Sequence, residues 1–135
     1  MLQSHGWTAL VTCAALFLYF IAGVKVGLAR RKHGVAAPAM SGDPNVERAL
    51  RVQGNTLEWL PIFLPSLWLF SIYWNDRLAA LIGVVWIVGR ILYAVGYWSE
   101  AGKRGAGFGI QTLVAFVLLF GAAAGAIRVM MVAGG

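Results

Sequence analysis

Arg51-Val52-Gln53-Gly54-Asn55-Thr56-Leu57-Glu58-Trp59-Leu60-Pro61 sets two charges and an amide inside a segment that runs on into apolar sequence. Spacings of four and three put Arg51, Asn55 and Glu58 on one face of a helix. A charged side chain within a membrane helix costs about 2.5–3.5 kcal/mol on insertion scales, so such residues mark sites by default. The surrounding composition makes the membrane the relevant solvent. The chain has 135 residues, 60% of them hydrophobic and only 12% charged, with a mean hydropathy of +0.75. Soluble domains carry about 25% charged residues. The whole length, 1–135, reads as one all-α integral membrane domain, with nothing left over for a soluble one.

Four hydrophobic segments are long enough to cross a bilayer, which takes about 20 residues each. They cover about 7–29, 46–74, 78–98 and 108–132. Lys25, near the end of the first, is free to snorkel to the surface. A break follows from Arg30-Arg31-Lys32-His33 to Asn45, with Pro38, Gly42 and Pro44 in it. Pro61 and Pro65 predict a bend in the second span, Asn75-Asp76-Arg77 a tight turn, and Ser99–Gly105 a loop. No basic residue precedes the first apolar run, so it reads as a retained span rather than a cleaved signal. Cys13, the single cysteine, reads as a small buried hydrophobe.

The net charge of +6 is unevenly placed, and a nucleic-acid partner is not expected. Four spans put Arg30, Arg31, Lys32, Arg48, Lys103 and Arg104 on one side, with Arg77 and Arg128 on the other. The positive-inside rule places the basic side in the cytoplasm and both termini outside. Short loops suit a bacterial inner membrane. Small residues recur at four-residue spacing in Gly23–Gly27 and Gly121–Gly125. Such spacing permits close helix packing, within one subunit or between subunits.

A second polar stripe lies on the third span. Arg90, Tyr93 and Tyr97 share a face, which continues to Arg104 at the cytoplasmic end. Glu58 lies seven residues deeper than Arg51, about 10 Å at the helical rise. Arg90 lies seven residues deeper than Tyr97, so Glu58 and Arg90 are expected at one depth, as a structural ion pair. That pair leaves Arg51, Asn55, Tyr93, Tyr97 and Arg104 gathered near one membrane face. Arginines fork onto carboxylates, and a glutamate accepts from an ammonium group. Tyrosines add hydroxyls and stacking faces. The set suits a zwitterionic ligand bearing several carboxylates.

Other chemistries find little support. His5 and His33 fall on opposite sides and make no metal site with Cys13. No phosphate-cradling glycine loop precedes a helix. Ser41, Ser66, Ser71 and Ser99 have no histidine base at a plausible depth.

Glu47-Arg48-Ala49-Leu50-Arg51-Val52-Gln53-Gly54-Asn55-Thr56-Leu57-Glu58-Trp59-Leu60-Pro61 resembles the signature of the membrane-associated proteins in eicosanoid and glutathione metabolism, the MAPEG family, which includes microsomal glutathione transferases and leukotriene C synthase. The resemblance continues through Gly89-Arg90-Ile91-Leu92-Tyr93-Ala94-Val95-Gly96-Tyr97 to Arg104 and takes in the four-span layout. It implies a four-helix bundle assembling as a homotrimer, with glutathione as co-substrate bound between subunits near the cytosolic face. Arg51, Asn55, Glu58, Tyr93 and Tyr97 then hold the tripeptide, and Gln53 adds a further contact. Arg30 and Arg31 come from the neighbouring subunit. Arg104 matches the arginine that stabilises the thiolate, with Arg31 as the alternative for that role. Trp59 stands where leukotriene C synthase has tyrosine, which removes one hydroxyl.

The function implied is a transferase joining glutathione to hydrophobic electrophiles drawn from the lipid, with reduction of lipid hydroperoxides as a second activity and no metal. Two alternatives remain at this level. A non-catalytic lipid-binding member of the family is disfavoured by Arg104, Tyr97 and Glu58. A small multidrug exporter is disfavoured because its carboxylate usually stands in the first span, and here that span has none.

Overall fold

The computed structural model describes residues 4–134 and contains four long helices. They are α1 (Gly6–His33), α2 (Pro44–Tyr73), α3 (Asp76–Ser99) and α4 (Gly105–Val132), with a 3-10 turn at Ala101–Arg104 before the last. Three of these, α1, α3 and the Ala101–Val132 segment, are long and apolar enough to cross a membrane. α2 is not among them. Its first half carries the polar residues quoted above.

Helix ends differ from the sequence expectation for local reasons. α1 extends through Arg30–His33, and stops only where Gly34 takes the left-handed conformation at φ 70° and its N–H returns to the Arg30 carbonyl. Four basic residues thus occupy the last turn, where they complement the helix dipole. α2 begins at Pro44 because Asp43 caps it, accepting from the N–H groups of Asn45 (2.8 Å) and Val46 (3.4 Å). Asn75 caps α3 by accepting from Leu78 N–H at 2.9 Å, so Asp76 and Arg77 are helical, not turn. The helix α2 continues through Pro61 and Pro65.

α2 and α3 are the central pair. α1 packs on both, and so does α4. The main core stacks Phe63 of α2 on Trp86 of α3, with ring centroids 3.8 Å apart and planes 4° from parallel. Leu67, Ala79, Ala115 and Leu118 close around it. α3 and α4 meet backbone to backbone. A Cβ added at Gly107 would sit 2.6 Å from the Gly89 carbonyl oxygen, and one at Gly89 would sit 2.9 Å from the Gln111 nitrogen. The Gly121 and Gly125 pair packs within the chain, against Phe70 and Trp74 of α2. Gly27 faces open space.

Two expectations fail here. Cys13 is exposed on the outer face of α1, not buried. Ser71 does have a histidine neighbour: His5 Nδ1 lies 2.8 Å from its Oγ. Ser71 is 3% exposed and also accepts from the Thr8 hydroxyl at 2.8 Å. Asp76 accepts from Thr8 N–H at 2.9 Å and Trp7 N–H at 3.2 Å. This cluster clasps the start of α1 to the α2/α3 corner, with Asp76 committed to backbone N–H groups.

Candidate functional site

Beside the smaller core cluster of Ala22, Val52, Tyr93 and Ala94, a cavity of about 690 Å³ opens between α2, α3 and the start of α4. Arg51, Asn55 and Glu58 line it from α2, Tyr93 and Tyr97 from α3, and Arg104 from the 3-10 turn. Six residues chosen from two spaced stripes thus converge on one space. A second cavity of about 410 Å³ shares Arg51, Leu50, Tyr97 and Met40 with it and adds Glu47 and Arg48, extending the site toward the first-loop surface.

The two sides are built differently. Tyr93 is buried, 3% exposed, and its ring lies 5.5 Å from that of Tyr97 and 5.9 Å from Phe108. Arg104 extends over the Tyr97 ring, 5.3 Å from its centroid, and donates to the Ala101 carbonyl at 2.7 Å. Stacking and backbone anchoring fix its guanidinium at the cavity edge. Arg51 and Glu58 are exposed on the cavity face of α2, and neither belongs to an ion pair among the described residues. A carboxylate and a guanidinium left open beside an otherwise apolar helix are groups that await a partner.

Arg90 does not pair with Glu58. It is 1% exposed and donates to Asn55 Oδ1 at 2.7 Å and Thr56 Oγ1 at 2.6 Å. Its carbon Cζ lies 4.3 Å from the Tyr93 ring centroid and 5.9 Å from that of Trp86. The reason is angular. Thr56 stands roughly 160° around α2 from Glu58 at 3.6 residues per turn, on the side that meets α3. Thr56 donates its own proton to the Val52 carbonyl at 2.7 Å, which turns a lone pair toward the guanidinium. Arg90 is therefore a neutral-partnered structural cation. It also orients Asn55, whose oxygen it occupies, leaving the Asn55 NH₂ for the cavity.

Three residues expected at the site lie elsewhere on the chain. Arg30 and Arg31 line a separate hollow with Gly27 and Val35, and Arg30 donates to the Ala39 carbonyl of its own loop at 2.6 Å. Gln53 points at α1, with its Nε2 3.2 Å from where a Gly23 Cβ would be. Within one chain none of the three reaches the cavity. Lining residues absent from the expectation are Met40, Leu50, Gly54 and Phe108. Phe108 follows Arg104 by four residues, so helical spacing could have found it. It also meets Trp59 edge to face at 5.8 Å. Met40 sits in an irregular loop where no periodicity speaks for it.

An all-helical membrane protein with an arginine, glutamate and tyrosine site at one end of its bundle is the class this structure defines. The MAPEG family model matches residues 8–124, and the chain belongs to that family. It is 51% identical over 116 residues to the Synechocystis sp. protein called "Uncharacterized protein sll1147", covering 86% of this chain and 85% of that one. Human microsomal glutathione S-transferase 2 is 42% identical over 100 residues, 73% of this chain and 68% of that one. Leukotriene C4 synthase of Cavia porcellus is 38% identical over 96 residues, 71% and 64% respectively.

Proposed function

We propose that this protein is a membrane glutathione transferase. The observation that carries the reading is the convergence of Arg51, Asn55, Glu58, Tyr93, Tyr97 and Arg104 on one cavity, in a chain similar to a microsomal glutathione S-transferase and a leukotriene C4 synthase. The donor set fits glutathione. Arg51 and the Asn55 NH₂ suit its carboxylates, Glu58 suits its ammonium group, and the two tyrosines offer hydroxyls and ring faces. With α2 taken as a fourth span, the charge asymmetry puts the site on the cytosolic side and both termini outside. A homotrimer completes the site, with Arg30, Arg31 and Gln53 presented to a neighbouring copy.

The chemistry is nucleophilic attack by sulfur on a hydrophobic electrophile. A free thiol titrates near 8.5, so only a few per cent is ionised at neutral pH. Arg104, held on Tyr97 at the cavity edge, favours the anion and raises the reactive fraction. The outward faces of α1 and α4, rich in exposed Leu, Phe and Val, offer the electrophile an approach through lipid. Reduction of lipid hydroperoxides by the same thiolate is the second activity.

Thiolate absorbance measured on adding glutathione to the purified protein tests the reading. Saturable absorbance at neutral pH is expected. Its absence in a protein that still binds glutathione would leave a non-catalytic binding member of the family. Glu58→Gln is expected to weaken glutathione binding by about 1.5–3 kcal/mol, through loss of the charged acceptor. Because Arg90 does not depend on Glu58, the substitution leaves the core intact, and unchanged affinity would remove Glu58 from the ligand shell.

A further inference from the structure

Away from the Arg51–Tyr97 cavity, at the same end of the bundle, a small pocket of about 160 Å³ lies between α1, the start of α2 and the end of α3. Lys25, Lys32 and His33 of α1, Asn45 of α2 and Trp98 of α3 line it. The Lys25 ammonium lies 5.0 Å from the Trp98 ring centroid. The Trp98 indole N–H is buried and has no hydrogen-bond partner among the described residues. An orphaned buried donor is costly and calls for an acceptor.

No carboxylate lines this pocket. Asp43, which meets the lining at His33, is committed: it accepts from the N–H groups of Asn45 and Val46 and stands 3.5 Å from His33 Nδ1. The Asn45 side-chain oxygen accepts from Arg48 at 2.6 Å, which leaves its NH₂ as the group it can offer. Two ammonium groups, an indole N–H and an amide NH₂ all donate, and no carboxylate stands in the lining to receive them. Such a donor set suits an anion with several acceptor oxygens, which is the chemistry of a phosphate.

The position identifies its source. At 3.6 residues per turn, Lys25 and Lys32 share an α1 face with Trp7, Leu10 and Ala14, while Gly23, Gly27 and Arg30 lie roughly 140–200° away. That face continues along the α1/α3 seam to an apolar groove of about 680 Å³, lined by Trp7, Leu10, Ala14, Val84 and Ile87, with Arg77 at its far rim. Leu28, beside the lysines, is 58% exposed. A phosphate carried on a lipid can place its chains along this apolar seam. Basic pockets between helices at the cytoplasmic side are suited to anionic headgroups.

We propose that the Lys25–Lys32–Trp98 pocket binds the phosphate of an anionic phospholipid headgroup, anchoring the α1/α3 seam on the side away from the glutathione site. The inference does not require the transferase reading.

Full-length protein stripped of lipid in mild detergent and titrated with phosphatidylglycerol or phosphatidylcholine, with bound copies counted by native mass spectrometry, tests it. Phosphatidylglycerol is expected to bind more tightly. Lys25→Gln/Lys32→Gln, which removes two exposed charges, should weaken it on the order of tenfold. Trp98→Phe keeps the ring and deletes the donor, and should weaken it about threefold or more. Arg77→Gln, a charge removed from the other end, should leave this affinity unchanged. Inorganic phosphate in excess should not displace the lipid. Equal affinity for the two lipids, indifference to both the lysine and the Trp98 changes, or an equal loss in Arg77→Gln would each overturn the proposal. Displacement by inorganic phosphate would assign the pocket to a soluble anion instead.

Discussion

Arg90, within α3, and Arg104, in the 3-10 turn that follows it, have opposite fates. Arg90 is sealed under Tyr93 with Asn55 and Thr56 as partners, and Arg104 is an exposed cation on the Tyr97 face. Removing Arg90 leaves two oriented acceptors without a donor in an apolar bundle. Arg90→Ala is expected to destabilise the protein by about 1–3 kcal/mol for each acceptor left unsatisfied, read by thermal unfolding in detergent, with loss of glutathione binding following from misplaced Asn55. Arg104→Ala is expected to leave unfolding unchanged and to cut turnover far more than glutathione affinity. Each unit by which the thiol pKa rises lowers the thiolate fraction about tenfold at a pH below it. The ascending limb of the pH–rate profile should accordingly move to higher pH, and Arg104→Lys, which keeps charge without the fork, should retain part of the activity. If turnover and its pH dependence both survive Arg104→Ala, thiolate activation passes to Arg31 or Tyr97. Spacing alone made six cavity residues legible, because a helix converts spacing into a shared face. It missed the Arg90 partner because depth along a helix was used without the angle around it.

Helix ends and contacts carry the remaining local information. The four helices were readable from hydropathy, but their limits depend on caps: Gly34 at φ 70°, Asp43 before Pro44, and Asn75 before Asp76. Asn75→Ala is expected to cost about 0.5–2 kcal/mol, because one orphan N–H of α3 loses its acceptor. Asp43 adds a pH dependence at the other end. Partial desolvation raises its carboxyl, but the Asn45 and Val46 N–H groups and nearby His33 outweigh this and hold it below its usual value. A carboxyl held low in the fold stabilises it above the unfolded pKa, about 3.9, and that contribution is lost as pH falls through the lower folded value. Asp43→Asn should therefore flatten the acid limb of the unfolding curve below about pH 4. Gly–Gly contact between α3 and α4 was not legible. Gly89 and Gly107 are far apart in sequence, and only the fold shows that each stands where a neighbouring backbone passes. Gly107→Val should separate these helices, displace Tyr93 and Phe108, and lower the unfolding midpoint together with glutathione affinity.

At the scale of the whole molecule, the proposed site draws residues from more than one copy of the chain. Arg51 and Glu58 stand exposed on the cavity face, without an ion pair among the described residues, while Arg30, Arg31 and Gln53 lie outside that cavity. Gly27 opens onto empty space beside them, so this flank of α1 can take close approach by another helix. A flank bearing spare cations and a cavity bearing an unpaired carboxylate are complementary surfaces, and a closed ring of copies lets each chain supply both. Arg31→Ala and Arg51→Ala subunits are each expected to form inactive homo-oligomers, since every site then lacks one arginine. Co-expressed with different tags and purified as mixed assemblies, the two should regain activity, because a site that takes Arg51 from one chain and Arg31 from its neighbour is whole. Conjugation assayed on doubly tagged material reads this directly. Mixed assemblies that stay as inactive as the parents would place the complete site within one chain and assign Arg31 to its own loop.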